Sequence, residues 1–215
     1  DFSFGELQED FDHFEPYLQK AMNRIPSLEK VGIRKFFNGP ESFTPDTNYL
    51  LGETPEVKNF FVCCGFNSIG IVSSGGAGKV TAEWMINGEV NDDLFSLDIT
   101  RFEKFHSETK FITQRVTETL GNLYAMHWPY KQLKTSRDQK LLPFHHDLKN
   151  KGACFGQVAG YERPMWYALN GNKPEYEYSY GYQNWYESAK YETINTRKNV
   201  GLFDLSAFAK FEIKG

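Results

Sequence analysis

The residues most suited to chemistry lie in a glycine-rich stretch that runs from Phe60 to Glu89. Its glycines, which can adopt positive φ or let a flat ligand approach the backbone closely, are Gly65, Gly70, Gly75, Gly76 and Gly78. The apolar run from Phe60 to Cys64 predicts a buried strand of the kind found in parallel sheets. A turn of small residues then leads to a predicted helix from Ala77 to Ile86, with Gly88 as its stop. The free N–H groups at such a helix start favour an anionic or electron-rich group.

Two general phosphate-binding motifs do not fit this stretch. A Walker-type loop requires Gly-Lys followed by Ser or Thr, but Val80 follows Lys79, and Ser73 stands where the first glycine belongs. The dinucleotide fingerprint also fails, because Thr81 replaces its third glycine. By its residues alone, the stretch predicts either another kind of ligand-binding turn or an ordinary crossover from strand to helix.

Other candidate groups lack the partners that chemistry requires. His145, His146 and Asp147 are ordinary metal ligands, but adjacent histidines on an extended chain point to opposite faces. We therefore expect no metal site, and a nucleophilic pair of Cys154 with His127 has no supporting residue. The acids of the first segment are expected on a solvated helix face: Glu9, Asp10, Asp12 and Glu15. No catalytic residue can be assigned, and the catalytic group is unknown at this point.

Composition excludes several classes of protein. The 215 residues, 40% of them hydrophobic, can fill one large domain or two small ones. A net charge of -4, with both signs interspersed, gives no basic face for nucleic acid, and no apolar run approaches the length of a membrane span. Three cysteines are too few for a disulfide framework, which favours a reducing compartment. The start at Asp1, without Met or a signal segment, indicates a processed piece of a longer chain.

The first segment, from Phe2 to about Asn23, shows helical periodicity. Its apolar residues recur every three or four positions, at Leu7, Phe11, Phe14, Leu18 and Met22. Pro16 interrupts this pattern, so either the helix begins near Glu15 or two short helices meet there. Residues 31–37 then predict a short strand, and the prolines and glycine of residues 38–46 predict an ordered loop.

The second half of the chain predicts two helices and one strand. A helical stripe ends near Gly121 and consists of Phe111, Ile112, Val116 and Leu120. Asn170 to Tyr182 is the best candidate linker, and its tyrosines alternate as in a strand that packs against a neighbouring domain. Trp185 to Asn199 predicts a helix with a basic last turn, and Ala209 to Ile213 predicts a strand.

The glycine-rich stretch resembles the second flavin-contacting segment of the amine oxidoreductases typified by dimethylglycine and sarcosine dehydrogenases. The sequence GPESFTPD, from Gly39 to Asp46, resembles the segment that lines the flavin-side pocket in the same family. The central connecting region of the family is matched by Asp98, Ile99, Arg101, Phe102, Trp128, Pro129, Thr135, Ser136, Arg137, Gly160, Tyr161, Glu162, Arg163 and Pro164. The C-terminal end resembles the opening of the folate-binding aminomethyltransferase domain found in the glycine-cleavage T-protein. The resemblance covers essentially all 215 residues, in order.

The resemblance implies an α+β or α/β fold made of three parts. Residues 1–97 would be the later part of a glutathione-reductase-like FAD domain of the amine oxidase type. Residues 98–168 would be the central connecting region, and residues 169–215 the linker and first elements of a T-protein-like folate domain. The chain would thus be the middle of a longer enzyme.

The resemblance also implies the site. Small and polar residues would shape the edge of the flavin, namely Gly65, Asn67, Ser68, Gly70, Gly75, Gly76 and Gly78. The pocket beside it would be lined by Gly39, Pro40 and Ser42. The implied cofactors are FAD and, in the complete protein, tetrahydrofolate.

Two functions follow from this resemblance. The first is demethylation of an N-methyl amine, sarcosine or dimethylglycine, with one-carbon transfer to tetrahydrofolate and electrons passed to an electron-transfer flavoprotein or oxygen. Its location would be the mitochondrial matrix in a eukaryote and the cytoplasm otherwise, and this segment alone is expected to be inactive. The alternative is a non-catalytic regulatory relative, of the type found in the regulatory subunit of pyruvate dehydrogenase phosphatase. The N-terminal third of the complete protein would discriminate between them, because only the enzyme needs a complete pyrophosphate loop and a histidine that carries covalent flavin.

Overall fold

The computed structural model describes residues 5–90 and 93–215 and shows a mixture of helices and short strands. The helices are α1 (Phe11–Arg24), α2 (Gly70–Asn87), α3 (Thr109–Leu123), α4 (His145–Asn150) and α5 (Tyr186–Lys198). The strands are β1 (Leu50–Glu53), β2 (Phe61–Cys64), β3 (Lys140–Leu141), β4 (Ala153–Val158) and β5 (Tyr161–Tyr167). Short 3-10 turns cover Pro26–Lys30, Ile99–Arg101 and Lys104–Ser107. The mixed helix and strand content expected from the sequence is confirmed.

The strands form two small sheets. β1 and β2 pair antiparallel, with Leu51 opposite Cys63. In the second sheet the order is β3, β5, β4, where β3 runs parallel to β5 and β4 runs antiparallel to it. Segment 97–98 extends the first sheet, because Leu51 N–H donates to the Leu97 carbonyl over 2.9 Å.

The buried apolar residues fall into a smaller and a larger group. Leu51 of β1 and Ala77 of α2 are buried in the first half of the chain. The second half has a larger buried set, consisting of Phe111, Leu142, Ala153, Cys154 and Trp166. The accessible surface is 16573 Å², whereas a compact monomer of this mass exposes about 10,200 Å². Much apolar surface therefore remains uncovered, most of all on α2 and after Asn199.

A glycine lets α2 lie close to the first sheet. Gly52 of β1 has φ +111°, and a Cβ placed there would be 2.6 Å from Cη2 of Trp84. The Trp84 ring also meets the edge of Phe61, at a centroid distance of 6.0 Å. These contacts fix the position of α2, and hence of its N-terminus, on β1 and β2.

Helix α1 differs from its prediction. It begins at Phe11 and continues through Pro16, and Asp10 caps it by accepting from His13 N–H over 2.9 Å. The cap and the stacking of Phe11 on Phe36 at 4.7 Å hold the turn before the proline, so the single hydrogen bond that Pro16 removes does not end the helix. Phe2, where the helical segment was predicted to begin, lies outside the described residues.

Two predicted strands are absent from the described residues. Residues 31–37 and 209–213 have no ladder partner and form irregular backbone. In the first case Phe36 packs on α1, and in the second Phe211 and Ile213 are 89% and 95% exposed. A segment with strand propensity forms a strand only when it pairs with a neighbouring strand, and neither segment has such a partner among the described residues.

The glycine-rich stretch also departs from its prediction. β2 is antiparallel and half-exposed, with Cys63 and Cys64 at the surface, so the buried parallel strand was wrong. Helix α2 begins at Gly70, seven residues before the predicted Ala77, although Gly88 ends it in a left-handed conformation as predicted. Glycine lowers helix propensity by about 1 kcal/mol per residue, and here the packing of Ala77 and Trp84 on the sheet outweighs that cost.

The second half agrees better with the sequence. Helix α3 spans the predicted stripe, and α5 spans all but the ends of its predicted range. His145 and His146, however, lie in helix α4 rather than on an extended chain. The tyrosines after Pro174 are not in a strand: Tyr176 and Tyr178 lie on irregular backbone and pack edge-on against Trp185. Among the described residues, no helix combines the length and apolar character that a membrane crossing requires.

Candidate functional site

The turn between β2 and α2 is organised by one buried side chain, that of Asn67. We call residues 65–68 the Asn67 turn. Asn67 is only 4% exposed, and its side-chain Oδ1 accepts a hydrogen bond from Thr44 N–H over 2.8 Å. Its Nδ2 donates to the Gly65 carbonyl at 2.5 Å and to Thr44 Oγ1 at 3.2 Å. A buried amide with both ends paired fixes the turn in one conformation.

The same side chain joins the turn to the loop that precedes β1. Besides the Thr44 bonds, Asn67 N–H donates to the Ser42 carbonyl over 3.2 Å, and Ser68 Oγ donates to Glu41 Oε2 over 2.5 Å. Thr44 and Asn67 are 5% and 4% exposed, so the contacts between these two residues are shielded from solvent. The two segments that resemble flavin-side segments, Gly39–Asp46 and the glycine-rich stretch, are therefore in direct contact.

The Asn67 turn stores backbone strain. Gly65, Asn67 and Ser68 have φ of +68°, +48° and +67°. The left-handed region costs a non-glycine residue roughly 1–3 kcal/mol, least for Asn. A Cβ at Gly65 would also lie 3.0 Å from Thr44 Cγ2. Strain of this kind persists only where surrounding contacts over-determine it, and it is concentrated at ligand sites.

The strained turn opens a cleft at the N-terminus of α2. The cleft has a volume of about 490 Å³ and is lined by Glu41, Ser42, Phe66, Asn67, Ser68, Ile69, Gly70, Ile71 and Val72. No side chain caps α2, so the N–H groups of its first turn remain available to a ligand. The partial positive charge of an 18-residue helix is directed at the same place.

This arrangement fits the edge of a flavin ring. Phe66, Ile69, Ile71 and Val72 supply apolar walls for a flat ring, while the first-turn N–H groups supply donors for its electron-rich edge. An acidic side chain, Glu41, also lines the cleft. The cleft therefore suits a ligand with one apolar face and one accepting edge better than a fully charged anion.

The predicted site residues divide into three groups. Ser42, Asn67, Ser68 and Gly70 line the cleft, and Gly65 begins the turn that forms it. Gly39 and Pro40 are exposed in the preceding loop and do not line the cleft.

The third group is the glycines inside α2. Gly75, Gly76 and Gly78 were expected in the turn, but they lie in the second and third turns of the helix. A Cβ on any of them would meet no atom within 4 Å. Because the helix begins earlier than predicted, these glycines form an open strip along its exposed side instead of the turn.

Sequence reasoning missed Thr44 and Glu41. Both stand inside the segment Gly39–Asp46, where position in a recognised segment was the available signal. Their roles depend on contacts with Ser68 and Asn67, which lie more than twenty residues away. No local pattern encodes such a contact.

A second polar centre joins Arg137 to strand β5 and is built on charge. Glu162 of β5 is fully buried and forms a two-pronged ion pair with Arg137, whose Nε donates to Oε1 over 2.8 Å. Asp138 N–H and Gln157 Nε2 donate to the same oxygen at 3.0 and 3.1 Å. We call these residues the Glu162 centre. It joins two segments of the family resemblance, around Arg137 and around Glu162.

The protonation of this centre follows from its partners. Burial alone would raise the pKa of Glu162, but the hydrogen bonds from Arg137 and Asp138 and the charge of Arg137 lower it below its ordinary value. Burial raises the pKa of the nearby Cys154 thiol to about 12. Cys154 is therefore a neutral thiol at physiological pH and a poor nucleophile. Both carboxylate oxygens of Glu162 accept hydrogen bonds from the protein, and Glu162 and Arg137 also line a cleft of about 490 Å³.

Metal chemistry has no support in the part of the chain that the structure describes. No group of three or more potential ligands forms in residues 5–90 and 93–215. His145 is buried, stacks on Phe155 at 4.2 Å, and has a pKa lowered by burial. The candidate functional site is therefore the cleft beside the Asn67 turn.

Three family models match successive parts of the chain. "FAD dependent oxidoreductase" matches residues 1–84, "FAD dependent oxidoreductase central domain" matches residues 87–141, and "GCVT N-terminal domain" matches residues 144–215. The cleft and the Asn67 turn lie within the first of these matches.

Curated relatives match over nearly the whole chain. The 4-methylaminobutanoate oxidase (formaldehyde-forming) of Paenarthrobacter nicotinovorans is 45% identical over 99% of this chain. The mitochondrial pyruvate dehydrogenase phosphatase regulatory subunit of Mus musculus is 36% identical over 96%, and the mitochondrial sarcosine dehydrogenase of Homo sapiens is 34% identical over 100%. The matches span 26%, 24% and 26% of those relatives, so the chain corresponds to about a quarter of their length.

Proposed function

The chain belongs to the family of FAD-dependent amine oxidoreductases that includes the sarcosine and dimethylglycine dehydrogenases, and we propose that its complete protein oxidises an N-methylated amino acid. The matched domains indicate FAD, and tetrahydrofolate as a second cofactor. The observation that supports the proposal most directly is the uncapped N-terminus of α2, which opens into a partly apolar cleft beside a strained, buried turn.

When bound, FAD supplies the hydride acceptor for oxidation of an amine carbon. The first-turn N–H groups of α2 would stabilise negative charge at the edge of the ring, because they and the helix dipole are directed into the cleft. Asn67 holds that turn in place through Thr44 and Gly65. Phe66, which stacks on Tyr49 at 4.8 Å, and the more exposed Ile69 would contact the apolar face of the ring. Gly65, Asn67, Ser68, Gly70 and Ser42 are the residues we assign to this edge, and Gly39, Pro40, Gly75, Gly76 and Gly78 to its surroundings.

Three substrates are candidates. The relatives are described as acting on sarcosine, dimethylglycine and 4-methylaminobutanoate. Each carries a methylated nitrogen and a carboxylate, so we propose an N-methylated amino acid as the substrate class. Transfer of the released one-carbon unit to tetrahydrofolate, and of electrons to an electron-transfer flavoprotein or oxygen, complete the proposal.

One experiment tests the activity. The complete protein is purified, its visible absorption spectrum is recorded, and each of the three amines is added under anaerobic conditions. We expect a flavin spectrum that bleaches with at least one amine. Retention of the colour with the denatured polypeptide would show covalent attachment. A protein without flavin absorption would contradict the proposal.

A second function is favoured by one comparison. The regulatory subunit of pyruvate dehydrogenase phosphatase is 36% identical to this chain, compared with 34% for the sarcosine dehydrogenase of Homo sapiens. In a non-catalytic relative the Asn67 turn would serve folding alone. Flavin that is bound but not reduced by any of the amines would favour this alternative.

Location follows the same relatives. The mouse and human relatives are described as mitochondrial, whereas a bacterial relative is also similar. We propose the mitochondrial matrix for a eukaryotic source and the cytoplasm otherwise.

A further inference from the structure

A buried arginine connects the Asn67 turn to the connecting region. The Arg101 side chain is 6% exposed and forms a two-pronged ion pair with Asp46, in which Nε donates to Oδ2 over 2.7 Å and Nη2 to Oδ1 over 3.1 Å. Nη2 also donates to the Asn48 carbonyl at 2.9 Å, and Nη1 donates to the carbonyls of Leu97 and Asp98 at 2.8 and 3.0 Å. These five contacts equal the five N–H donors of a guanidinium.

The ion pair continues into the turn through short hydrogen bonds. Asn48 N–H donates to Asp46 Oδ1 at 3.1 Å, and Thr44 Oγ1 donates to the Asn48 carbonyl at 2.7 Å while lying 3.2 Å from Asp46 Oδ1, which closes the backbone of residues 44–48. Thr44 N–H then donates to Asn67 Oδ1 at 2.8 Å. Arg101, Asp46, Thr44 and Asn67 therefore form one connected series of contacts, each no longer than 3.2 Å.

This series crosses from one matched family segment to the next. Asp46 and Asn67 lie in the segment 1–84, and Arg101 lies in the segment 87–141. Of the ion pairs among residues 5–90 and 93–215, this is the one that joins those two segments. It is also reinforced by the bond from Leu51 N–H to the Leu97 carbonyl.

The chemistry of the pair suits orientation more than stability. The Arg101 side chain is buried whereas that of Asp46 is 36% exposed, and a partly desolvated ion pair contributes little net free energy, because desolvation offsets the attraction. A planar fork that meets both carboxylate oxygens instead fixes distance and angle, which a lysine cannot do. Asp46 is thereby held in one orientation. The same contacts fix the Thr44 N–H group, which donates a hydrogen bond to Asn67 Oδ1.

We propose that Arg101 is a positioning residue for the flavin edge, which sets the orientation of the Asn67 turn and of the α2 N-terminus through Asp46 and Thr44. The inference rests on the proposed function, because it concerns the cofactor of that same cleft. It adds a role for a residue in the connecting region that does not line the cleft.

The test uses the complete holoenzyme and Arg101→Lys, which keeps the positive charge and removes the fork. We expect the equilibrium between oxidised and reduced flavin to change by about tenfold, which is about 30 mV for a two-electron couple. Amide hydrogen exchange should accelerate in residues 42–48 and 65–72. Asp46→Asn, which keeps the size of the side chain, should produce the same two changes. It carries the test if Arg101→Lys does not fold.

Arg137→Lys is the matched control, because it makes the same change in the other buried two-pronged pair. We expect it to lower stability while leaving the flavin equilibrium within twofold of the unsubstituted enzyme. Equal shifts with Arg137→Lys and Arg101→Lys would overturn the proposal, since any loss of stability would then suffice.

The outcomes separate this inference from the proposed function. A complete protein that contains no flavin would overturn both. A flavin that amines reduce, and whose potential is unchanged in Arg101→Lys and Asp46→Asn, would overturn the positioning role alone. Faster exchange of residues 42–48 without a change in potential would also overturn it, because the pair would then stabilise the loop only.

Discussion

The Asn67 turn and the Glu162 centre are both buried and polar, but they solve the problem of burial differently. Asn67 is neutral, sits on strained backbone, and borders an open cleft with an uncapped helix end. Glu162 is charged, sits in a regular strand, and has its oxygens occupied by Arg137, Asp138 and Gln157. The turn thus leaves hydrogen-bonding capacity for a ligand, whereas the Glu162 centre uses its own capacity within the protein.

The surroundings of the two regions differ in the same sense. The Glu162 centre adjoins a core that includes Cys154 and Trp166, each 3% exposed. Around the turn, α2 exposes Ile71 and Val72 to 97% and 83%. A helix that is apolar on more than one side is normally covered on more than one side. The comparison therefore indicates that the region around the Glu162 centre buries a core of its own, whereas the outer surface of α2 is suited to further packing.

The largest effect is expected at the Glu162 centre. Glu162→Ala leaves the Arg137 charge buried without its partner, which costs about 3–5 kcal/mol of unfolding free energy. Urea unfolding followed by tryptophan fluorescence measures it, since Trp166 lies on the same strand. Glu187→Ala, in an exposed pair with Lys190, is the control and should cost less than about 0.5 kcal/mol. Equal losses would remove the distinction between the buried and the exposed pair.

The next largest effect is expected where α2 meets β1. Gly52→Ala places a Cβ 2.6 Å from Trp84 in a backbone of φ +111°, and should cost about 2–4 kcal/mol. Gly75→Ala is the matched glycine-to-alanine change in open space on helix α2, and it should stabilise the protein by up to about 1 kcal/mol. Thermal unfolding of the two variants checks the pair. If Gly75→Ala were the more damaging, α2 would pack through its glycine strip and not through Trp84.

A smaller effect is expected at the Asn67 turn. Asn67→Ala leaves the buried Thr44 N–H without its acceptor and should cost about 1–3 kcal/mol. Asn67→Gly removes the same bonds but tolerates φ +48°, so the difference between the two variants measures the backbone strain. Comparison of their urea midpoints provides both quantities. Full stability in Asn67→Gly would mean that the hydrogen bonds contribute nothing, and that the turn resembles an ordinary loop.

The smallest effect is a dependence on acid, because protonation removes the charge of Glu162 but leaves its side chain in place. The pKa of Glu162 is lower in the folded state than in the unfolded state, so the unfolded state takes up the proton first as the pH falls. The stabilisation is complete above the unfolded pKa of about 4.3 and is lost as the pH falls through the lower folded value. Urea midpoints between about pH 3 and pH 7 should show this decline. Glu162→Gln should flatten it, and an unchanged slope would place the acid sensitivity elsewhere.

The sequence predicted the two regions with different success for a physical reason. Helix α3 was found because its apolar residues recur with helical period, and α5 was predicted with basic residues in its last turn; both are local properties. The start of α2 was misplaced because four glycines hide its period, and the contact of Trp84 with Gly52 that favours the helix is distant in sequence. The strands predicted at 31–37 and 209–213 failed because strands need partners, which local sequence does not supply.

The same division holds for the site. The residue types by themselves determined that Gly39–Asp46 and the glycine-rich stretch carry the resemblance to flavin-side segments, and that no metal or nucleophile motif competes with them. Only the tertiary structure decided that Ser42, Asn67 and Gly70 come together while Gly75 to Gly78 do not. It also decided that Arg101 reaches the turn through Asp46, across 55 residues of chain. Helical period and turn chemistry depend on residues a few positions apart, whereas the pairing of buried polar atoms depends on which segments the folded core brings into contact.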